Sequence, residues 1–142
     1  MPVRKKTTTS DRGIVEGYRS GLEEKIAAEL HALGIPVKYE DRDTVIYYTK
    51  PVSKHRYLPD FVLPNGIIIE TKGRFITADR KKHLLIKEQH PDLDIRFIFS
   101  NSRTRISKQS KTTYAMWCEK NGFKYADRSI PREWLKEKRE KD

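Results

Sequence analysis

The chain has only one cysteine, Cys118, among its 142 residues. An intramolecular disulfide is therefore impossible, and a zinc site built from several cysteines is excluded. Because Cys118 follows Trp117 in an apolar stretch, we interpret it as a small buried hydrophobic residue rather than a reactive thiol. Histidine is also scarce, and no pair of histidines has metal-ligand spacing. We expect all four histidines to lie at the surface or its boundary: His31, His55, His83 and His90. For His55 and His83 the alternative is a contact with phosphate.

Long apolar runs are missing as well. No stretch approaches the ~18 apolar residues that a membrane-spanning helix needs. Residues 1–12 contain no apolar segment of the kind found in signal peptides, so we expect a cytoplasmic protein. No basic amphipathic helix with a broad apolar face stands out, which disfavours a membrane surface as the partner.

Positive charge is in excess. Thirty Lys and Arg against 20 Asp and Glu give a formal net charge of +10 and a pI near 9.7. Such a balance is expected for a protein whose partner is a polyanion, and nucleic acid is the leading candidate. The length and the 36% hydrophobic content are those of a single soluble domain with a core of its own.

The pattern of elements predicts an α/β domain with a mixed sheet. Residues 1–16 are predicted to be a flexible basic arm, residues 17–137 the folded domain and residues 138–142 a charged tail. The predicted elements in order are a helix from a Ser20–Glu23 capping box to Gly34, strands over 35–40 and 44–49, a hairpin over 57–72, a helix over 79–89, a strand over 95–99, a helix over 112–121, a strand near 123–125 and a short helix after Pro131.

The hairpin carries the most informative residues of the chain, Asp60, Glu70 and Lys72. Residues i and i+2 of a strand point to the same face, so Glu70 and Lys72 are neighbours. A two-residue turn would set Asp60 on the wrong face, whereas a three-residue loop over 64–66 pairs Asp60 with Glu70. The Pro-Asn-Gly sequence favours the three-residue loop, because glycine can occupy the left-handed position of the bulge.

These residue types suit phosphodiester cleavage with a hard divalent ion. Carboxylates of Asp60 and Glu70 and the backbone carbonyl of Thr71 could bind Mg²⁺ or Mn²⁺ and leave positions open for water and phosphate. Lys72 could orient the attacking water or stabilise charge on the phosphorane. The alternative is a surface hairpin with ordinary charges, since short motifs often match by chance.

Glu23 has two possible roles. It stands at the N3 position of the capping box, from which it could reach back to the Ser20 amide. It also lies beside the apolar stripe that includes Ile26 and Leu30, so it could instead extend toward Asp60 as a further acidic ligand. The two roles exclude each other.

Two basic clusters follow the hairpin in sequence. One is predicted in the first turn of the helix over 79–89, where the helix dipole disfavours positive charge, and the other in a Ser/Thr-rich loop. We interpret both as phosphate-binding, although a solvated face is the alternative, and we assign the same role to the arm. The candidate DNA-binding residues are Lys5, Lys6, Arg12, Arg80, Lys81, Lys82, His83, Arg103, Arg105, Lys108 and Lys111.

Several ordered blocks resemble one nuclease family. They include Arg19-Ser20-Gly21-Leu22-Glu23, Pro59-Asp60-Phe61, Leu63-Pro64-Asn65-Gly66-Ile67, Glu70-Thr71-Lys72-Gly73, Asp79-Arg80-Lys81-Lys82-His83-Leu84-Leu85-Ile86 and Ser102-Arg103-Thr104. From about Tyr18 to Glu137 the chain resembles the phage T7-like endonuclease I family of Holliday-junction-resolving enzymes, within the PD-(D/E)xK nuclease superfamily. The resemblance implies a restriction-endonuclease-like core of one helix, three strands, a helix and a strand.

The resemblance also implies a function and a site. It implies a homodimer that cuts four-way junctions and other branched DNA, with Mg²⁺ or Mn²⁺ bound as two ions per active site. Glu23, Asp60, Glu70 and Lys72 would be the catalytic residues, which favours the metal-binding role of Glu23. The family has acidic residues on both sides of a tyrosine that corresponds to Tyr39 here. In Lys38-Tyr39-Glu40 only the second of these acidic residues is present, so Glu40 is a weak candidate for an auxiliary acidic role.

The resemblance further implies that the dimer exchanges strands. The chain would cross between subunits near Val45 to Pro51, and each active site would take its helix glutamate from one subunit and its hairpin from the other. The alternative is an ordinary internal strand. Two other functions remain open: a nuclease of the same superfamily that acts on linear DNA, and a basic DNA-architectural protein without catalysis.

Overall fold

A five-stranded mixed sheet lies at the centre of the computed structural model, which describes residues 21–50 and 53–138. The helices are α1 (Gly21–Ala32), α2 (Thr77–Gln89), α3 (Tyr114–Asn121) and α4 (Arg132–Lys136). The strands are β1 (Lys38–Tyr39), β2 (Ile46–Lys50), β3 (Ser53–Tyr57), β4 (Phe61–Val62), β5 (Ile68–Lys72), β6 (Ile95–Phe99) and β7 (Lys124–Asp127). The predicted α/β class is confirmed.

The sheet has the order β1-β4-β5-β6-β7. β1, β4 and β5 are antiparallel neighbours, and β5, β6 and β7 run parallel. All five residues of β6 are buried, as expected for a central parallel strand with helices on both faces.

The predicted basic arm, the Ser20 cap and nearly all of the predicted charged tail lie outside the described residues.

Two apolar clusters cover the two faces of the sheet. One contains Ile86 of α2 and Trp117 of α3, packed with Phe97 of β6. The other contains Ile26 of α1 and Trp134 of α4, together with residues of β4 and β5. The sheet is therefore the middle layer of three, and each of its faces is closed by two helices.

The β4–β5 hairpin has the predicted register. Phe61 pairs with Ile69, and the Leu63 N–H donates to the Ile67 carbonyl at 2.9 Å, so Asp60 is opposite Glu70. The three-residue loop is confirmed, with its glycine, Gly66, at a φ of 91°. Only glycine adopts this left-handed conformation without steric cost, which explains why the loop sequence fixes the register.

β2 and β3 form a separate two-stranded antiparallel sheet within the same chain. The Gln89 side chain at the end of α2 attaches this small sheet to the helix. Its amide forms two hydrogen bonds of 2.7 Å with the backbone of Thr49, one as donor and one as acceptor. The strand that ends at Tyr57 and the one that begins at Phe61 are distinct, because the chain turns between them. The extended segment predicted before the loop is thus divided between two sheets.

Helix α2 begins two residues earlier than predicted, at Thr77 instead of Asp79. The carboxylate of Asp79 accepts from the Ile76 N–H at 3.4 Å, which places Asp79 inside the first turn as the N3 residue. Only Arg80 of the basic cluster belongs to that turn, so the expected conflict with the helix dipole is smaller than the sequence suggested.

No helix among the described residues is long and apolar enough to cross a membrane.

Candidate active site

Three acidic side chains converge beside the hairpin. Glu23 of α1, Glu40 after β1 and Asp60 before β4 each offer a carboxylate oxygen, and these oxygens lie within 4.8 Å of one another. We call these three residues the acidic triad. Glu23 and Asp60 are buried, with 3% and 2% of their surface exposed. The fold thus brings together carboxylates from three separate segments of the chain.

Glu23 lies on the buried side of α1, on one stripe with Ile26 and Leu30. Its carboxylate accepts a hydrogen bond of 2.6 Å from the Tyr39 hydroxyl, and Tyr39 pairs with Phe61 in the sheet. The side chain therefore points at the sheet, as its predicted metal-binding role requires.

Glu40, only a weak candidate from the sequence, is the third member of the acidic triad. Its backbone N–H donates to the Asp60 carbonyl at 3.3 Å, and its φ of 43° turns the chain where β1 ends. This turn brings the Glu40 carboxylate to Glu23 and Asp60. The position after Tyr39 in Lys38-Tyr39-Glu40 was the available signal, but only the pairing of β1 with β4 reveals where the side chain goes.

Asp60 links the acidic triad to Glu70. The Asp60 carboxylate accepts from the N–H and the hydroxyl of Thr71, at 3.0 and 3.1 Å. The Asp60 N–H donates to Glu70 Oε2 at 3.0 Å. The predicted pairing is confirmed, yet the two carboxylates make different contacts, and Glu70 is not a member of the acidic triad.

Glu70 is buried on the side of the sheet covered by α2. Its Oε2 also accepts from the Tyr57 hydroxyl at 2.7 Å, and its Oε1 is 3.9 Å from His83 Nε2. Burial raises the pKa of Glu70, while Lys72, the Tyr57 hydroxyl and the Asp60 N–H each act to lower it. Tyr57 is a site residue that the sequence did not identify. It stands three positions before Asp60, in a strand of another sheet.

Lys72 ends β5 on the same face as Glu70, as alternation along the strand predicts. Its Nζ is 3.4 Å from Asp79 Oδ1, so the first turn of α2 holds the ammonium at the open end of the site. Lys82 of α2 also approaches this region, and burial lowers its pKa, while the charge of Glu70 raises it. Two lysines therefore border the Glu70 carboxylate.

Two of the predicted DNA-binding residues are buried. His83 is fully buried rather than at the surface or its boundary, and neither ring nitrogen has a hydrogen-bond partner within the described part of the chain. Burial lowers the pKa of His83 well below its usual range, which favours the neutral imidazole. The Arg80 guanidinium is directed inward to the Phe75 carbonyl at 2.5 Å and the Thr77 hydroxyl at 3.0 Å. The surface or boundary position expected for His83 is therefore wrong, and burial in this structure disfavours the phosphate contacts predicted for both residues.

The loop between β6 and α3 presents the other basic cluster to solvent. Its four predicted cations are exposed: Arg103, Arg105, Lys108 and Lys111. Two of them, Arg105 and Lys108, line a groove of about 410 Å³ together with Gly73 and Arg74, which directly follow Lys72. The basic arm residues Lys5, Lys6 and Arg12 lie outside the described residues. His55 is half-buried and bonded to the Ser53 hydroxyl through Nε2 at 2.7 Å.

Comparisons with known proteins agree with one another. A family model described as phage endonuclease I matches residues 4–141. Endonuclease I of Escherichia phage T7 is 54% identical over 123 residues, which is 87% of this chain and 81% of that protein. Endodeoxyribonuclease 1 of Enterobacteria phage T3 is 54% identical over 120 residues, which is 84% of this chain and 78% of that protein.

Proposed function

Because the chain belongs to the phage endonuclease I family, and so is a DNA endonuclease, we propose that it is a divalent-metal-dependent enzyme that resolves four-way junctions and other branched DNA. The observation that carries the proposal is the acidic triad beside the Glu70 and Lys72 strand. Its place of action is the cytoplasm of the phage's host, where the phage DNA is.

The donor set fits Mg²⁺ or Mn²⁺. Hard divalent ions take oxygen ligands, and the acidic triad supplies three carboxylates whose oxygens lie within 4.8 Å of one another. We assign Glu23, Glu40 and Asp60 as ligands, with Glu70 and the Thr71 carbonyl completing the sites for two ions. When bound, the ions activate water and neutralise phosphate charge.

The protein side chains have separate tasks in this proposal. Thr71 fixes the Asp60 carboxylate with two hydrogen bonds, and Tyr57 and the Asp60 N–H fix Glu70. Such bonds hold the carboxylates in one orientation before substrate arrives, which lowers the cost of reorganisation during reaction. The Lys72 ammonium, held by Asp79, stabilises the charge that develops on the phosphorane. The products are a 5′-phosphate and a 3′-hydroxyl.

The DNA backbone would pass over the exposed basic loop. The groove lined by Arg74, Arg105 and Lys108 begins next to Lys72, so a strand with its scissile phosphate at the acids can place a neighbouring phosphate there. Lys81 is exposed on α2 and would act as a further phosphate contact. These contacts bind backbone and give no base readout, as expected for selection of DNA shape.

A cleavage assay with a four-way junction and its component duplexes tests the proposal. We expect cutting of the junction with Mg²⁺ and none with chelator, and loss of both cutting and Mn²⁺ affinity in Asp60→Asn and Glu40→Gln. Preference for the linear duplexes would favour the linear-DNA nuclease instead. Junction binding without cutting in any divalent ion would favour an architectural protein.

We further propose that the active enzyme is a strand-exchanged homodimer with shared active sites. β2 and β3 pair with each other outside the main sheet, so the same pairing can form between two chains if the crossing lies near Val45 to Pro51. The exchange would combine Glu23 and Glu40 of one chain with Asp60 of the other. In this structure all three residues come from a single chain.

Refolding a mixture of Glu23→Ala and Asp60→Ala chains tests the exchange. With exchange, one site of the heterodimer carries both defects and the other none, so junction nicking returns although each parent is inactive. Without exchange, each site keeps one defect. A heterodimer as inactive as its parents would reject the shared site, while the metal-dependence assay above would be unaffected.

A further inference from the structure

Lys82 differs from the other lysines of α2 in where its ammonium lies. The side chain is half-buried, and its Nζ is 5.0 Å from the centroid of the Tyr57 ring. Tyr57 is the residue whose hydroxyl donates to Glu70. Lys82 is therefore directed toward the active site.

The charges around Lys82 are those of the site itself. Glu70 is the acidic residue that acts on it most strongly, followed by Asp79 and Asp60, and the Lys72 ammonium is near enough to oppose a second positive charge. Lys72 already has Asp79 as its ion-pair partner at 3.4 Å. Lys82 thus adds a cation at a place where another cation stands and where divalent ions are to bind.

In the protein without substrate, burial and the Lys72 ammonium both oppose the positive charge of Lys82, and the neighbouring carboxylates offset part of this cost. Burial of an ammonium costs free energy, and a neighbouring ammonium adds repulsion. The balance changes when DNA is present, because a phosphodiester carries one negative charge and gains a second as the phosphorane forms. A cation preorganised at that position stabilises the transition state more than the ground state.

We infer that Lys82 is a second catalytic cation that, together with Lys72, contacts the phosphate being cleaved. The inference rests on the proposed function. Lys82 keeps its proton throughout and forms no bond to phosphorus; it stabilises the added negative charge as the water oxygen bonds to phosphorus and the bond to the 3′ oxygen breaks.

The matched control is Lys87, which belongs to the same helix. Its Nζ is 4.7 Å from the centroid of the Phe123 ring, and it donates to the Gly122 carbonyl at 3.3 Å, away from the acids. Lys82→Met and Lys87→Met each remove one charge from a lysine stacked on an aromatic ring while keeping the aliphatic stem. They differ in whether the active site loses a cation.

Single-turnover cleavage of a four-way junction in Mg²⁺ is the measurement. We expect Lys82→Met to lower the rate about 100-fold, the usual size of effect for one transition-state contact, and Lys87→Met to stay within about threefold of wild type. Calorimetric titration with Mn²⁺ in the absence of DNA should give unchanged or tighter binding for Lys82→Met. Lys82→Arg should recover part of the lost rate.

Two outcomes would overturn the inference. A Lys82→Met rate equal to that of Lys87→Met would remove Lys82 from the reaction. Weakened Mn²⁺ binding in step with the lost rate would make Lys82 a structural support of Glu70. If wild type itself does not cut the junction in Mg²⁺, the proposed function fails, which is a distinct result.

Discussion

The hydrogen bond between Tyr57 and Glu70 should contribute more to the free energy of unfolding than most polar contacts in this protein. Tyr57 and Glu70 are 1% and 3% exposed, and the bond is 2.7 Å long. A buried hydrogen bond to a charged group contributes about 1.5–3 kcal/mol, and Tyr57→Phe removes it without opening more than the volume of one oxygen atom. We therefore expect the free energy of unfolding to fall by about 2 kcal/mol near neutral pH.

The loss should depend on pH in a defined direction. Glu70 has an ordinary pKa of 4.5 and a raised one in the folded protein, so between these values the folded state holds more protons than the unfolded state. Stability contributed by this group therefore falls as pH rises through that window. The Tyr57 hydroxyl lowers the pKa of Glu70, and its removal raises that pKa further. The difference between wild type and Tyr57→Phe should be larger at about pH 8 than at about pH 5.

Urea unfolding in chelator at the two pH values measures both quantities. Tyr125→Phe is the control, because the Tyr125 hydroxyl makes a 2.6 Å bond to Glu119 at the protein surface. Exposed contacts of this kind contribute little, so this variant should lose less than about 0.5 kcal/mol. Equal losses in the two variants, or a Tyr57→Phe loss that does not grow with pH, would refute the reasoning.

Three further predictions concern other parts of the molecule. Lys72→Ala should abolish junction cutting with little change in junction affinity, since one ammonium is a small part of the attraction of a +10 protein for phosphate; gel cleavage and gel-shift assays compare the two, and retained cutting would exclude the assigned role. Replacing Arg103 and Arg105 together by alanine should flatten the salt dependence of junction binding by up to about 2 units. An unchanged salt dependence would mean that this loop is a solvated face without phosphate contacts. Asn65→Ala should lower the free energy of unfolding by about 1–2 kcal/mol, because the Asn65 amide donates to the carbonyls of Trp134 and Glu137, both at 2.9 Å; an unaltered urea midpoint would contradict this.

The features that sequence predicted well are locally determined. The register of the β4–β5 hairpin follows from the loop over 64–66. Helix α3 ends at Asn121 as predicted, where the chain turns at Gly122 with a φ of 78°. Each of these depends on the conformational preferences of a few adjacent residues. The placement of Asp60 opposite Glu70 followed from that loop.

The features that sequence missed depend on which side of an element packs. Arg80 and His83 lie on the buried face of α2 with Ile86, while Leu84 is 39% exposed, the reverse of what polarity alone indicates. The spacing of three residues among Arg80, His83 and Ile86 was a usable signal, but the charged run concealed it. Glu40 was underestimated because its position depends on the pairing of a two-residue strand with a distant one.

The contact of the β4–β5 loop with α4 has a consequence for biosynthesis. The Asn65 side chain in that loop donates to the backbone carbonyls of Trp134 and Glu137, and α4 helps to close the face of the sheet on which α1 presents Glu23. A ribosome makes these closing residues after it has made every proposed catalytic residue. A chain that stops before α4 therefore contains every proposed catalytic residue. It lacks the Asn65 hydrogen bonds to residues 134 and 137 and one of the two helices that cover that face of the sheet. A DNA-cutting enzyme built in this way completes its active-site framework only after all of its proposed catalytic residues have been synthesised.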